Sequence, residues 1–184
     1  MDTAGQRGPF SLGAAARTKA SAAAGEKVTV QSVYAAEYGP ENAVDGNPDP
    51  FAAWISKPYG GGTKDLPLDV WWAIEFSVGR MFQLKGVKIV GDDRDIIPLQ
   101  RNLQVQVREG SAWKTVGELR DATARTVTVD FPQTVAAAGL RIFVPAADLP
   151  RSARADLDGI VRICEFLLIL LDGRESRVVP SLQP

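Results

Sequence analysis

The chain has 184 residues, of which 45% are hydrophobic and 23% are charged, and its 21 lysine and arginine residues are balanced by 22 aspartate and glutamate residues. This composition is ordinary for a folded globular protein and too apolar for a disordered one. The balanced charge provides no positive field for a nucleic acid backbone or an anionic membrane, so neither is an expected partner.

The amino-terminal part of the chain differs from the remainder in composition and in apolar pattern. Residues 1–26 are rich in alanine, glycine and serine and lack apolar periodicity, which predicts a flexible linker or tail. From Lys27 onward, short alternating apolar runs are separated by Gly, Pro, Asn and Asp, as expected for many short strands. The first three strands are predicted at residues 28–34, 71–76 and 84–90, where the apolar period is two.

The later strands show the same period. Leu103, Val105 and Val107 alternate with polar residues, and the turn at residues 109–111 predicts a hairpin with a strand at 112–119. Further strands are predicted at 127–131, 140–144 and 161–171, and no helix is predicted. About eight strands without helices indicate a sandwich or barrel. Long polar connections at 34–53, 57–70, 91–101 and 146–160 are where function is expected.

Several classes of function are excluded by residue types. The chain has no histidine, which removes Ser-His-Asp and Cys-His catalysis and the commonest zinc ligand. The one cysteine, Cys164, lies in an apolar run and is expected to be buried. No apolar stretch reaches the roughly 18 residues of a membrane span. The first residues lack a signal-peptide pattern, so the chain is expected to be cytosolic or to have lost a leader.

Five motifs occur in the order typical of one family. They are residues 38–47 (YGPENAVDGN) followed by Ala53-Trp54, residues 71–76 (WWAIEF), residues 103–107 with 110–113 (GSAW), residues 140–142 (LRI) and residues 163–166 (ICEF). Together they resemble discoidin, or coagulation factor 5/8 type C, domains, which include the family 32 carbohydrate-binding modules. The resemblance implies an all-β, antiparallel jelly-roll sandwich of the galactose-binding-like kind over residues 27–172, with a tail at 173–184.

The resemblance also implies a calcium site. In many family members the loop equivalent to residues 42–46 and a glutamate of the last strand surround the ion, which places Asp45, Asn47 and Glu165 here as ligands. Oxygen donors of these types suit calcium. Ala52 stands where the family usually offers a hydroxyl, which is a departure. The alternative is that Asp45-Gly46 is only a turn and Glu165 only an ion-paired acid.

The four tryptophans are Trp54, Trp71, Trp72 and Trp113. Strand and hairpin positions favour a core role for most of them. Because adjacent strand residues point to opposite faces, Trp71 and Trp72 cannot both be in one core. One of the pair is expected to face outward, and Trp72 is taken as the ligand candidate.

The remaining candidates lie in two loops. Tyr59, followed by three glycines, is expected to be an exposed stacking platform. The turn after the third strand offers Asp92, Arg94 and Asp95, whose charges could bond vicinal hydroxyls or could only stabilise a solvated turn. Arg101 and Asn102 precede the next strand and are added as candidates on the same rim.

These features favour binding over catalysis. A glycosidase needs two carboxylates about 5 to 10 Å apart, one with a raised pKa, and the crowded acids after residue 91 do not suggest such a pair. We therefore expect a non-catalytic module that binds a glycan through loops at one rim, within a larger secreted protein that carries a catalytic domain. The expected location is extracellular or periplasmic. The alternative is a protein-interaction or adhesion module with the same fold.

Overall fold

The computed structural model describes residues 26–59, 69–92, 102–152 and 154–177. These residues form eleven β-strands and four short 3-10 turns, at Ala36–Tyr38, Pro40–Val44, Ala146–Asp148 and Ala155–Leu157. The strands are β1 Lys27–Val30, β2 Trp54–Ile55, β3 Val70–Glu75, β4 Phe82–Val90, β5 Leu103–Glu109, β6 Ala112–Leu119, β7 Thr126–Ala137, β8 Gly139–Val144, β9 Arg162–Ile163, β10 Glu165–Leu170 and β11 Glu175–Arg177. No helix among the described residues has the length and apolar character of a membrane span.

The strands form two main sheets and one short pair. One sheet has the order β1-β3-β8-β5-β6, the other has the order β11-β10-β4-β7, and β2 pairs with β9. All of these pairings are antiparallel. Most neighbours in a sheet are distant in sequence, because the chain crosses repeatedly between the sheets. The prediction of an antiparallel β-sandwich is confirmed.

The core lies between the two main sheets and follows the alternation of the strands. Leu103, Val105 and Val107 of β5 are buried, as predicted from their period of two. The ring of Trp72 on β3 lies 5.0 Å from the ring of Phe166 on β10, and neither side chain is exposed. This aromatic contact joins the two sheets.

The predicted hairpin between β5 and β6 is confirmed. Glu109 pairs with Ala112, and the turn between them contains Gly110 with a φ of 61°. Glycine adopts this left-handed conformation without the steric cost that a Cβ imposes. The local sequence therefore determines the turn.

The strand registers gather the long connections at one end of the sandwich. Val70 at the start of β3 pairs with Val144 at the end of β8. Val90 at the end of β4 pairs with Glu165 at the start of β10. The connections β1–β2, β2–β3, β4–β5, β6–β7 and β8–β9 all leave from this end, which we call the loop end. The opposite end carries the short turns β3–β4, β5–β6, β7–β8 and β10–β11.

The folded unit extends beyond the predicted boundaries. Residues 175–177 pair with β10 in the register Leu167 to Arg177, so the boundary at 172 is wrong. The carboxylate of Glu26, 2% exposed, accepts a hydrogen bond from the backbone N–H of Ser77, so the unit begins at least one residue before Lys27. Residues 1–25 and 178–184 lie outside the described residues, and the predicted linker and tail stay predictions there.

Candidate functional site

A small apolar cluster supports the loop end. Its buried members are Ala53, Ile55, Val90, Leu157, Ile160 and Cys164, and the ring of Tyr38 packs against them. Cys164 is fully buried, which confirms the predicted core role of this residue. The cluster fixes the connections β1–β2 and β8–β9 relative to the end of β4.

Two tyrosines, Tyr34 and Tyr38, lie at the loop end beside this apolar cluster. Tyr34 is 48% exposed and Tyr38 is partly buried, and their ring centroids lie 6.1 Å apart. The backbone N–H of Tyr34 donates to the carbonyl of Ile55 at 2.8 Å, so the chain has already left β1 and runs beside β2. The sequence pattern assigned Tyr34 to the first strand and missed its position at the loop end. The available signal was its place at the start of a long polar connection.

An exposed ion pair lies in the β8–β9 connection. The guanidinium of Arg154 donates to both carboxylate oxygens of Asp156, at 2.6 and 3.2 Å. This hydrogen bonding raises the pKa of Arg154, with a smaller electrostatic contribution from Tyr34, and lowers the pKa of Asp156. We define Tyr34, Tyr38, Arg154 and Asp156 as the rim patch. It combines an aromatic face with oriented charged groups, and sequence reasoning found none of its members.

Tyr59 is not the exposed platform that the sequence predicted. Its side chain is partly buried against the main core, and its hydroxyl donates to the side-chain oxygen of Gln31 at 2.5 Å. A Cβ placed on Gly159 would lie 3.1 Å from the Cβ of Tyr59. The exposure prediction is wrong because Gln31 binds the hydroxyl and a glycine of another connection lets the backbone and Cβ of Tyr59 approach closely. Its role in binding stays a prediction.

The charged turn after β4 is only partly described. Asp92 is 3% exposed, and its carboxylate forms an ion pair with the guanidinium of Arg162 on β9. This buried pair fixes the start of the turn to β9 and gives Asp92 a structural role, and ligand contact by its side chain stays a prediction. Arg94, Asp95 and Arg101 lie outside the described residues, and their predicted role stays a prediction.

Asn102 connects three segments of the loop end. Its amide oxygen accepts from the backbone N–H of Asp121 at 2.9 Å, and its amide nitrogen lies 3.5 Å from the carboxylate of Asp148. The residue is partly buried. These contacts give Asn102 a structural role, and ligand contact by its side chain stays a prediction.

Trp71 and Trp72 point to opposite faces of β3, as predicted, but Trp72 faces inward and Trp71 faces outward. Trp72 is fully buried, and its indole N–H donates to the carbonyl of Pro40 at 2.9 Å. Trp71 is the partly exposed member. The expectation that Trp72 faces outward is wrong, because its ring fills the core, and its role as a ligand contact stays a prediction. Trp54 is fully buried, as expected, and the ring of Trp113 is half-buried on the outer face of the five-stranded sheet.

The predicted calcium loop folds as three successive Asx turns. A side-chain oxygen of Asp45 accepts from the N–H of Asn47 at 2.7 Å, Asn47 accepts from Asp49 at 3.2 Å, and Asp49 accepts from Phe51 at 2.8 Å. Such bonds are the ordinary means by which Asp and Asn stabilise turns. Asp45 and Asn47 are both exposed.

The third predicted calcium ligand faces an arginine. Glu165 is 1% exposed, and one of its carboxylate oxygens lies 3.8 Å from the Nε of Arg177 on β11. Across the described ranges, no group of three or more acidic or cysteine side chains is arranged to hold a metal ion. As folded, the predicted donor set does not fit a resident calcium ion. Calcium binding itself stays a prediction.

Comparison with protein-family models and with curated proteins found no match. Comparison with solved structures found similar folds. A chitosan-binding module from a chitosanase/glucanase of Paenibacillus sp. IK-5, solved with chitotriose, is 21% identical, with a TM-score of 0.56 over 79% of this chain and 97% of that one.

Two further structures are family 32 carbohydrate-binding modules. The module of Clostridium perfringens NanJ, in complex with galactose, is 14% identical, with a TM-score of 0.56 over 78% of this chain and 92% of that one. The module of Streptococcus pneumoniae EndoD is 13% identical, with a TM-score of 0.53 over 77% and 94%. The chain therefore has the discoidin-like β-sandwich fold of family 32 carbohydrate-binding modules.

Proposed function

We propose that this chain is a non-catalytic carbohydrate-binding module that uses the rim patch as its ligand contact. The observation that carries the proposal is an exposed tyrosine at the loop end that interacts electrostatically with the arginine of an exposed arginine–aspartate pair. The solved structures of similar fold support the same class of ligand, since they include modules in complex with chitotriose and with galactose.

The rim patch has the chemistry of a sugar contact. A tyrosine ring offers an apolar face to the C–H groups of a pyranose, while its hydroxyl stays in water. The guanidinium of Arg154 and the carboxylate of Asp156 are held in a fixed orientation by their two hydrogen bonds. Groups of this kind can donate to and accept from neighbouring hydroxyls of one sugar ring.

The electrostatics of the patch favour binding over hydrolysis. A general acid needs a carboxyl whose pKa is raised by burial or by a like charge. The pKa of Asp156 is shifted the other way, because Arg154 donates a hydrogen bond to its ionised form. Asp92, the member of the predicted acidic turn that the structure describes, is ion-paired with Arg162. Neither carboxylate is set up to donate a proton.

Glycan-array binding followed by titration of one bound oligosaccharide tests the proposal. Tyr34→Ala and Arg154→Ala are each expected to weaken binding at least about tenfold, which corresponds to roughly 1.4 kcal/mol of lost interaction. Arg174→Ala is the control, because Arg174 is also exposed but lies in the short β10–β11 turn at the opposite end. All three variants should keep the melting temperature within about 2 °C, since the changes are on the surface.

Two results would contradict the proposal. Absence of binding to every glycan, together with a purified protein partner that binds, would establish the protein-interaction alternative. Binding that the Tyr34 and Arg154 variants leave unchanged would move the contact to another surface, and Tyr59→Ala and Arg94→Ala would then test the loops first predicted from the sequence.

We also propose that the module works within a larger secreted protein, tethered to a catalytic domain. One structure of similar fold is a module derived from a chitosanase/glucanase. A single exposed patch gives weak affinity, and tethering raises the effective concentration of an enzyme at its substrate. The domain context of the full-length gene and the fractionation of the native protein test this proposal. A full-length protein with no further domain would contradict it.

A further inference from the structure

Arg177 lies where the family resemblance places calcium. Its Nε is 3.8 Å from the carboxylate of Glu165, the predicted ligand on β10. On the other side, its guanidinium lies against Gly46, the residue that separates the predicted ligands Asp45 and Asn47 in the sequence. A Cβ built on Gly46 would be 2.5 Å from the Nη1 of Arg177. The guanidinium therefore separates the two halves of the predicted donor set.

We propose that Arg177 takes the place of a metal ion in this domain. Its guanidinium neutralises Glu165 and holds the last strand, β11, against the turn that contains Gly46. The folded domain then does not need calcium. This inference concerns the stability of the sandwich and is independent of glycan binding at the rim patch.

The charge of Glu165 requires a partner at this position. The side chain of Glu165 is 2% exposed and that of Arg177 is 26% exposed, so the carboxylate is shielded from water while the guanidinium reaches it from the surface. A buried carboxylate is costly unless a positive charge or hydrogen bonds compensate it. Arg177 supplies that charge from within the chain.

A calcium ion does not fit beside the arginine. Calcium takes six to eight oxygen ligands at about 2.3–2.6 Å. Here the guanidinium of Arg177 lies between Glu165 and the turn that contains Gly46. Two positive charges a few ångströms apart repel each other strongly in a partly buried site. Asp45 and Asn47 each already use a side-chain oxygen to stabilise the turn.

The backbone of the turn is adapted to the arginine. Gly46 has a φ of 85°, a conformation that residues with a Cβ rarely adopt. The same absence of a Cβ leaves room for Nη1 of Arg177. Glycine is thus favoured at this position by the conformation of the turn, and its missing Cβ leaves the space that the end of the Arg177 side chain fills.

Thermal unfolding of the wild-type protein in millimolar calcium chloride and in chelator is the first test. We expect the two melting temperatures to agree within about 1 °C. A resident site occupied at about a hundred times its Kd would instead raise the melting temperature by about 5 to 10 °C. Such a rise, or saturable calcium binding in calorimetry with Kd below about 10 µM, would overturn the proposal.

A matched pair of arginine variants is the second test. Arg177→Ala should lower the melting temperature by several degrees in both solutions, because it removes the positive charge that faces the buried carboxylate of Glu165. Arg174→Ala removes an arginine of the same β10–β11 hairpin that is 79% exposed and pairs only locally with Asp172, so it should change the melting temperature by less than about 2 °C. Equal effects of the two substitutions would overturn the proposal. If Arg177→Ala does not fold, the calcium titration of the wild-type protein still decides the question.

Discussion

Replacing Trp72 by phenylalanine tests whether this residue belongs to the core. The indole N–H of Trp72 donates to the carbonyl of Pro40 at 2.9 Å, and the side chain is fully buried. Phenylalanine cannot donate, so Trp72→Phe leaves the Pro40 carbonyl without this partner, at a cost of about 1–2 kcal/mol. The smaller ring also leaves a cavity, which costs a further 1–2 kcal/mol, approximately.

The expected total loss of unfolding free energy is therefore about 2–4 kcal/mol, or a fall in melting temperature of roughly 5–15 °C for a domain of this size. Urea and thermal unfolding, followed by tryptophan fluorescence and circular dichroism, measure both quantities. Trp71→Phe is the matched control, since Trp71 is the partly exposed neighbour on the opposite face. It should cost less than about 1 kcal/mol.

The reasoning fails if the two substitutions destabilise the protein equally. It also fails if Trp72→Phe leaves the stability unchanged but weakens glycan binding, since this pattern is expected of an exposed ligand contact. The assay thus separates a core tryptophan from a binding tryptophan by measurements in solution.

Three further predictions address other parts of the sandwich. Glu26→Ala should lower the unfolding free energy by about 1–3 kcal/mol in urea denaturation, because the backbone N–H of Ser77 loses its buried acceptor. Gly86→Ala should destabilise the β4–β7 pairing in amide exchange, since its Cβ would lie 2.5 Å from a carbonyl oxygen of β7. NMR titration should find the pKa of Asp156 below its ordinary value, and Arg154→Ala should raise that pKa. The contribution of this pair to the stability of the fold is therefore present at neutral pH and is lost as the pH falls through the lowered pKa.

Local patterns predicted the strands well because they act within a few residues. The alternation of Leu103, Val105 and Val107 assigned one face of β5 to the core, and Gly110 marked the hairpin. The inward-facing member of the Trp71-Trp72 pair could not be predicted in this way. Which of Trp71 and Trp72 faces inward depends on how β3 is placed in the sheet, and the partners that decide this, Pro40 and Phe166, are distant in sequence.

The loop residues were harder to predict for the same reason. An aspartate that follows a strand resembles any exposed turn residue, yet Asp92 is buried by Arg162, which is 70 positions away. The same holds for Tyr59, which is partly buried through contacts with Gln31 and Gly159, both distant in sequence. Arg177 lay in a segment predicted to be a tail, and only its pairing with Leu167 brings it to Glu165. Such contacts depend on tertiary structure.

The backbone around the rim patch is held by bonds that do not involve the side chains of the proposed ligand contacts. The indole N–H of Trp54 donates to the carbonyl of Ser32, and the hydroxyl of Ser32 accepts from the backbone N–H of Lys57. With the bond from the N–H of Tyr34 to Ile55, these contacts fasten the start of the β1–β2 connection to β2. Because this segment is already fixed in the free protein, the proposed contact of the Tyr34 ring with a sugar would cost little conformational entropy. A single exposed ring can then contribute useful affinity, which long unsupported loops would not allow.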